Sequence, residues 1–339
     1  MVVTLFSPTH QHYHHCYPAV YSRITDEGGP VIGILGSTCT GKSKLSINIA
    51  TRFPAEIINC DKMQLYSGLD ITANKMSMIE REGVPHHLLS EFESDDSEFD
   101  NPSNIGFGEI TATDFRSLAS SKIKSIQSRQ KIPIIVGGSN SFLHALLSEH
   151  HIPDQDPFAT VNINKNNNSL RYPLCRLLWV QVEWTVLKQC IDKRVDAMVE
   201  MGMVEELESY FDLKRATEKV YRGLDKSIGV PEMDEFFLEY PPRPTTGECK
   251  KKMRVGREKT RLEEAIENIK RNSRILARRQ VEKINILRDV YGWDVLVLDG
   301  TEAAKRKMQG MAKDKIEEVW EKNVICPTME ELEVFLLNH

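Results

Sequence analysis

The chain of 339 residues lacks the features that mark membrane-spanning and disulfide-rich proteins. No apolar run approaches the roughly 18 residues of a membrane-spanning helix, so we expect a soluble protein. The seven cysteines contain no C-x-x-C pair, which argues against a zinc site and favours reduced thiols in an intracellular compartment. The formal net charge of −5 argues against a surface that is basic throughout, so any anion-binding site must be local.

Acidic residues are also missing from the start of the chain, where the first is Asp26 and where hydroxyl residues and histidines are frequent. This composition suits an organelle transit segment, and a tail without function is an equally good alternative. We therefore assign residues 1–29 to a disordered tail or a transit segment.

Short apolar strands alternate with helical patterns over most of the remaining chain. The predicted strands cover residues 31–35, 55–60, 132–136, 177–182 and 294–298, and the longer predicted helices cover residues 112–129, 186–210 and 259–290. This alternation predicts an α/β fold, a P-loop doubly wound parallel sheet flanked by helices, with a smaller helical domain. We expect a core domain at residues 30–185, a mainly helical substrate-binding region at 186–290, and a strand with helices returning to the core at 291–339. Residues 153–173 are predicted to be a flexible loop.

The strongest motif lies directly after the first strand. Residues 36–43 (GSTCTGKS) match G-x-x-x-x-G-K-[ST] in full, between a strand and a helix as the motif requires. The backbone N–H groups of such a loop cradle phosphate, its lysine reaches the outer phosphates, and its serine hydroxyl can bind Mg²⁺. The residues expected to bind phosphate are Gly36, Thr38, Cys39, Thr40, Gly41, Lys42 and Ser43.

A second Mg²⁺-binding motif, an apolar strand that ends in aspartate, is missing where a nucleotide hydrolase would carry it. The strand at 132–136 runs into Gly137, Gly138 and Ser139 instead, and only Asp61 stands at a strand end. Because the carboxyl ends of parallel strands share one rim of the sheet, Asp61 and Ser139 should lie beside the phosphate loop. We interpret Asp61 as a residue that meets a second substrate.

Six further segments accompany the phosphate loop: residues 57–75 (IINCDKMQLYSGLDITANK), 85–89 (PHHLL), 134–139 (IIVGGS), 191–198 (IDKRVDAM), 202–207 (GMVEEL) and 274–280 (RILARRQ). Together with the loop, these segments resemble the isopentenyltransferases that prenylate adenine. The resemblance covers roughly residues 30–290. One branch of this family acts on a tRNA adenine, and the other acts on free adenine nucleotides in cytokinin synthesis.

The chain looks most like the plant adenylate branch. Eukaryotic tRNA enzymes of this kind often carry a C-terminal Cys₂His₂ zinc module, whereas here only Cys326 and His339 follow Cys249. A tRNA-binding protein should also be more basic. The resemblance therefore implies dimethylallyl diphosphate and an adenine nucleotide as small-molecule substrates, with no nucleic acid and no membrane. With the transit-like segment it implies a chloroplast location, with the cytoplasm as the alternative, and we expect a monomer.

The resemblance implies transfer of a dimethylallyl group to N6 of the nucleotide, with ATP or ADP favoured over AMP and diphosphate released. The phosphate loop would then hold the prenyl diphosphate, where Lys42, the loop amides and Mg²⁺ at Ser43 stabilise the leaving group. Asp61 is the candidate base for the N6 proton, and its alternative role is a helix cap or a Mg²⁺ partner. Asp61, Lys42 and Ser43 are thus the expected catalytic residues, while Ser139 is expected to contact the nucleotide unless it only forms a turn.

Cations outside the loop are candidates for the nucleotide's phosphates. Lys219, Arg222 and Lys226 would share one face of a helix and are predicted to bind the di- or triphosphate. A second basic run covers residues 250–257. A charged face exposed to solvent is the alternative for both groups.

Two further pairs of residues carry chemical groups that could act in the site. Arg278 and Arg279 lie beside the apolar face of a predicted helix, and we assign Arg278 to the diphosphate, since at least one of the two should clamp phosphate. His86 and His87 could suggest a base, but adjacent side chains point apart on any regular element. We favour a structural role for both histidines.

Three other functions are compatible with the motifs. The first is prenylation of a tRNA adenine by the same chemistry. The second is a P-loop small-molecule kinase that transfers the γ-phosphate of ATP, and the third is a nucleotide-binding regulatory protein without catalysis. The convergence of Asp61 and the phosphate loop on one rim argues against the third.

Overall fold

The computed structural model describes residues 28–93, 109–159, 169–242 and 256–338. All but the last two residues of the predicted tail, the middle of the predicted flexible loop, and residues 250–255 of the second basic run lie outside the described residues. The elements, in chain order, are β1 (Val31–Leu35), α1 (Lys42–Ala50), β2 (Ala55–Asn59), β3 (His86–His87), α2 (Ala112–Ser128), β4 (Ile132–Val136), α3 (Asn140–Leu147), β5 (Cys175–Gln181), α4 (Trp184–Glu200), α5 (Met203–Tyr210), α6 (Leu213–Glu218), α7 (Val230–Glu239), α8 (Arg257–Asp289), β6 (Val295–Asp299), α9 (Thr301–Met308), α10 (Lys313–Trp320) and α11 (Cys326–Asn338). Short 3₁₀ turns cover Met63–Leu65 and Gly223–Lys226.

The described strands form one sheet of six in the order β3-β2-β4-β1-β5-β6, and every neighbouring pair is parallel. The chain leaves β1 toward one edge, returns through β4, and then crosses to the other side of β1. Ligand crevices lie at such a change of direction, outside the carboxyl ends of the strands. The predicted parallel α/β sheet flanked by helices is confirmed.

Side chains of β1 alternate between two apolar layers, one on each face of the sheet. Ile32 and Ile34 belong to the layer that contains α1 and the C-terminal helices, and Val31 and Leu35 belong to the layer formed by α2, α3 and the helical region. All four are at most 1% exposed. Both faces are therefore covered, which explains why the strands read as continuous apolar runs instead of alternating ones.

Two departures from the predicted elements concern the helical pattern at 186–210 and the edge of the sheet. The helical pattern at 186–210 is two helices, because Gly202 adopts a left-handed φ of 106° between α4 and α5. The edge strand β3 was not predicted, since two residues are too short to show a periodic pattern. Within β3, His86 contacts Val84 O and His87 contacts Glu56. His86 also lines the cavity at the carboxyl ends of the strands, so its structural role stays a prediction.

Helix α8 connects the helical region with the sheet. Its 33 residues bury Ala265 and Ile269 at one end and Ile284 and Leu287 at the other, and it packs on α3, α4 and α7. The middle of this helix, around Gln280, is thereby held over the carboxyl ends of β1 and β4. No helix of the described residues is long and apolar enough to cross a membrane.

Candidate active site

The phosphate loop between β1 and α1 has a tightly fixed backbone. Cys39 and Gly41 have left-handed φ angles of 67° and 97°, and the buried Thr40 hydroxyl donates to Ser37 O at 2.9 Å. A Cβ added at Gly41 would lie 2.6 Å from a ring carbon of Trp320, so a side chain at this position would displace the loop. Sequence and packing thus both require the glycine that precedes the lysine of the motif.

Lys42 begins α1 and lies deep in the site. Its Nζ donates to Ser37 O at 2.6 Å. Burial lowers the pKa of Lys42 to about 8, and the Asp61 carboxylate opposes that change. The ammonium group therefore lacks enough solvation in the free protein, which favours an anionic ligand beside it.

Asp61 follows β2 and has backbone N–H groups on two sides. The N–H groups of Met63 and Gly138 lower the pKa of its carboxyl group. Burial raises the pKa of Asp61 above its ordinary value, against the opposing charge of Lys42. The structure thus brings the predicted base and the phosphate-loop lysine into one electrostatic pair.

The glycine pair after β4 allows close contact with the Asp61 loop. A Cβ at Gly137 would lie 2.1 Å from the Cys60 carbonyl, so any other residue there would push the two loops apart. Ser139 completes the contact, because its Oγ accepts from Lys62 N at 2.9 Å and its N–H donates to Cys60 O at 3.1 Å. Ser139 thus binds the loop that carries Asp61, and within the described residues its hydroxyl donates no hydrogen bond.

These residues line a cavity of about 930 Å³ at the carboxyl ends of the strands. Among the described residues its wall carries seven cationic side chains and one carboxylate, that of Asp61. The seven cations are Lys42, Lys62, Arg194, Lys226, Arg279, Lys283 and Lys307. The Nε of Arg194 is buried and has no hydrogen-bond partner within the described part of the chain. Such a wall is built for an anion, in a chain whose formal net charge is −5.

Five of the seven loop residues predicted to bind phosphate line this cavity, namely Thr38, Cys39, Gly41, Lys42 and Ser43. The other two support the loop from behind. Gly36 lies where a Cβ would come 2.7 Å from Val180 O, and the Thr40 side chain is buried. Their contribution through the side chain is therefore to shape the loop.

Arg278, which the sequence assigned to the diphosphate, does not line this cavity. Its guanidinium lies over the Trp184 ring at 5.5 Å and is not part of the cavity wall, whereas Arg279 is. Successive helical residues point about 100° apart, so only one of the two can face the site. The docking of α8 on α4 selects Arg279.

The three cations predicted for the nucleotide do not share a helical face. Lys219 ends α6 in a left-handed conformation, and Arg222 precedes the 3₁₀ turn that contains Lys226. Lys226 lines the cavity, while Lys219 and Arg222 are not on its wall. Lys219 instead lies 3.5 Å from Glu235. Glu109 pairs with both Lys226 and Lys62, and so joins the helical region to the Asp61 loop.

Metal-binding groups are sparse around the cavity. No cluster of three or more His, Cys, Asp or Glu side chains that could hold a metal ion occurs within residues 28–93, 109–159, 169–242 and 256–338. Ser43, in the first turn of α1, is exposed on the cavity wall. A Mg²⁺ ion that takes most of its ligands from phosphates and water needs few protein ligands, and this arrangement fits such an ion.

Sequence reasoning assigned no role to Arg194, Gln280, Lys283 or Lys307. Arg194 and Gln280 fall within two segments of the family resemblance, 191–198 and 274–280, so the signal for them was present. Lys283 and Lys307 lie on helices with many other lysines and arginines, and nothing local distinguishes them. Only the folded chain brings these helices to the phosphate loop.

Comparison with known proteins identifies the family. The family model described as IPP transferase matches residues 64–171 and 155–285. Adenylate isopentenyltransferase 1, chloroplastic, of Arabidopsis thaliana is 43% identical over 310 residues, which is 91% of this chain and 81% of that protein. The adenylate isopentenyltransferase of Humulus lupulus is 43% identical over 309 residues, 89% of each chain. Other Arabidopsis thaliana relatives are named chloroplastic, and one is named mitochondrial.

A solved structure of a eukaryotic dimethylallyltransferase acting on tRNA shares the fold. It aligns with a TM-score of 0.66 over 91% of this chain and 80% of that chain, at 23% identity. Fold, family model and relatives all point to the same family. The chain belongs to the IPP transferase family.

Proposed function

We propose that the protein transfers a dimethylallyl group from dimethylallyl diphosphate to N6 of an adenine nucleotide, with release of diphosphate, as a prenyltransferase of cytokinin synthesis. The observation that carries this proposal is the cavity in which seven cations and the Asp61 carboxylate face one another. The reaction needs both properties, because its leaving group is an anion and its nucleophile is an amine that must lose a proton. The names of the relatives in Arabidopsis thaliana and Humulus lupulus support the same substrates.

The phosphate loop would hold the diphosphate of the prenyl donor. As the C1–O bond breaks, negative charge grows on the bridging oxygen, and donors fixed in advance stabilise that charge without reorganising. Lys42 is placed for this role by its contact with Ser37 O at the base of the loop. An anion beside Lys42 would in turn raise its pKa from about 8 and keep the ammonium protonated.

Asp61 would accept the N6 proton as the new C–N bond forms. The adenine amine is a poor nucleophile because its lone pair is delocalised into the ring, so removal of its proton lowers the barrier. The raised pKa of Asp61 makes its carboxylate a stronger base than an ordinary aspartate. The N–H groups of Met63 and Gly138 lower the pKa of Asp61 and would stabilise its charged form before the proton arrives.

We also propose Mg²⁺ as the cofactor, bound by the Ser43 hydroxyl and by the diphosphate of the substrate. When bound, the ion would neutralise charge on the phosphate oxygens. Support comes from the exposed position of Ser43 at the start of α1 and from the small number of protein ligands that such an ion requires.

Free ATP or ADP is the proposed acceptor, in preference to AMP or tRNA. Lys226 and Lys307 add positive charge to the cavity wall from outside the phosphate loop, and so offer partners for the phosphates of a second substrate. We keep Lys226 as a nucleotide-binding residue on this ground. A tRNA adenine is the alternative acceptor for the same chemistry.

We propose a monomer located in the chloroplast. The location draws on the names of the Arabidopsis thaliana relatives and on the acid-free start of the sequence, and the mitochondrion and cytoplasm are the alternatives. Imaging of the full chain fused to a fluorescent protein distinguishes the three locations. Light scattering on the purified protein measures the mass in solution.

An assay with labelled dimethylallyl diphosphate tests the function directly. The donor is incubated with AMP, ADP, ATP or bulk tRNA, and the label is followed into each acceptor. Label in ATP and ADP is the expected result, label in tRNA alone would favour the alternative, and phosphate transfer from ATP without prenylation would refute the proposal. Asp61→Ala should lower turnover by about two or more orders of magnitude while leaving donor binding nearly unchanged when calorimetry is done on the acid side of the Lys42 transition, where the lysine stays protonated in the variant.

A further inference from the structure

Gln280 connects the phosphate loop with the glycine pair after β4. Its side chain is buried, with 6% exposed, in the middle of α8. Oε1 accepts a hydrogen bond from Thr38 N at 2.8 Å, and Nε2 donates to Gly138 O at 3.0 Å. A buried amide requires partners for both of its ends, and here the two partners come from different loops of the site.

The Gly138 peptide extends this connection to Asp61. Its N–H lies beside the Asp61 carboxylate and lowers the pKa of that group, while its carbonyl accepts a hydrogen bond from Gln280. A Cβ at Gly138 would lie 2.3 Å from Gln280 Nε2 and 3.3 Å from Asp61 Oδ2, so the amide and the carboxylate pack against the same glycine. Asn140 also donates to the backbone carbonyl of Gln280 at 3.0 Å, which fixes α8 against the start of α3.

We propose that Gln280 is a positioning residue that sets the separation between Asp61 and the phosphate loop. The inference rests on the proposed function, in which Asp61 holds N6 of the nucleotide and the loop holds the diphosphate of the donor. The amide acts through other groups: its two hydrogen bonds span the gap between the acceptor side and the donor side. Gln280 thereby determines whether N6 lies in line with C1 of the prenyl group.

An amide is suited to this task because one end donates and the other accepts. The Thr38 N–H needs an acceptor and the Gly138 carbonyl needs a donor, and glutamine supplies both without a charge. A carboxylate at this position would repel the Gly138 carbonyl, and an ammonium group would leave the Thr38 N–H unpaired. Either charge would also alter the field across a cavity that already pairs Lys42 with Asp61.

Misalignment has a defined chemical consequence. In productive transfer the C1–O bond breaks with its electron pair remaining on diphosphate, the C1–N6 bond forms, and the N6 proton passes to Asp61. If N6 is displaced, water attacks C1 instead, which yields dimethylallyl alcohol, diphosphate and a proton. The share of donor that ends as alcohol therefore reports the alignment that we ascribe to Gln280.

Gln280→Leu removes both hydrogen bonds at nearly constant volume. We expect kcat for prenyl transfer to fall by about 10- to 100-fold with KM values for both substrates within about threefold of wild type, since small displacements affect the transition state most. The share of labelled donor converted to dimethylallyl alcohol should rise. Gln127→Leu is the matched control, because Gln127 Nε2 also bonds a distant carbonyl, that of Gly29 at 2.8 Å, and is not on the cavity wall.

Gln280→Glu distinguishes the hydrogen bond to Thr38 from the one to Gly138, and it tests the proposal if Gln280→Leu does not fold. It keeps an acceptor for Thr38 N–H and loses the donor to Gly138, so the same rise in alcohol is expected. An unchanged ratio of transfer to alcohol, or raised KM values at wild-type kcat, would overturn the proposal. Failure of the proposed function would look different, because wild-type protein would then form no prenylated nucleotide at all.

Discussion

The pH above which the protein loses affinity for dimethylallyl diphosphate tests the electrostatic pairing of Lys42 with Asp61. Burial lowers the pKa of Lys42 from its ordinary value of 10.5 to about 8, while the Asp61 carboxylate opposes that change. The lowered pKa corresponds to about 3 kcal/mol in favour of the neutral amine. Because only the ammonium form attracts diphosphate, affinity for dimethylallyl diphosphate should fall as the pH rises through about 8.

Asp61→Asn should move this limit to lower pH. The substitution removes the carboxylate charge at nearly constant volume, and an opposite charge nearby shifts a pKa by about one to three units. The pKa of Lys42 should therefore fall to about 7 or below in the variant. Loss of a charge-assisted hydrogen bond to the ligand is worth about 1.5–3 kcal/mol, so affinity should fall about 10- to 100-fold across each transition.

Calorimetric titration of the donor over a pH series measures both transitions without any need for turnover. Lys42→Arg is the control, because a guanidinium stays charged throughout, so any slope left in that variant belongs to ionisation of the ligand. A transition in Asp61→Asn that coincides with the wild-type one, or lies above it, would refute the electrostatic pairing. So would a wild-type transition that persists in Lys42→Arg.

Three further substitutions test other parts of the fold. Burial raises the pKa of Glu56, but hydrogen bonds from basic side chains outweigh this effect and bring the pKa to about 2. Glu56→Gln should therefore lower the free energy of unfolding in urea by about 3 kcal/mol at neutral pH. This deficit should disappear as the pH falls from 4.5 toward 2, because wild type then loses the same stabilisation. Burial lowers the pKa of His144 to about 4, so His144→Leu should reduce the loss of stability that wild type shows between pH 6.5 and about 4. Trp320→Ala should lower stability by about 3–5 kcal/mol and weaken donor binding, whereas Leu332→Ala should lower stability alone.

The sheet and the phosphate loop could be predicted because their signals are local. Residues 132–136 are consecutive apolar residues that end at a glycine pair, and the loop motif fixes its own strand and helix. The rim of a parallel sheet then brings Asp61 next to Lys42 without further information. This part of the site follows from strand order and the position of one aspartate.

The helical contributions could not be predicted, because they depend on how α8 docks. Adjacent arginines differ by about 100° around the helix, and only the packing of α8 on α4 makes Arg279, and not Arg278, a cavity residue. The position of Lys219 could not be predicted either. Its left-handed conformation ends α6, so it does not share a helical face with Arg222 and Lys226, as their spacing alone would predict. The partners of Gln280 are 242 and 142 residues away in the chain.

The balance of charge around Asp61 explains how a phosphate loop can serve a reaction other than nucleotide hydrolysis. A carboxylate among cations is normally a weak base, because the cations hold its pKa down, and Lys42 and Arg194 both act in that direction here. Burial acts in the opposite direction and is the larger effect on Asp61. The same wall can therefore attract a diphosphate and still leave its one described carboxylate basic enough to take a proton from an amine. A more open site would lose that combination, since hydration of the carboxylate would remove the effect of burial on its pKa.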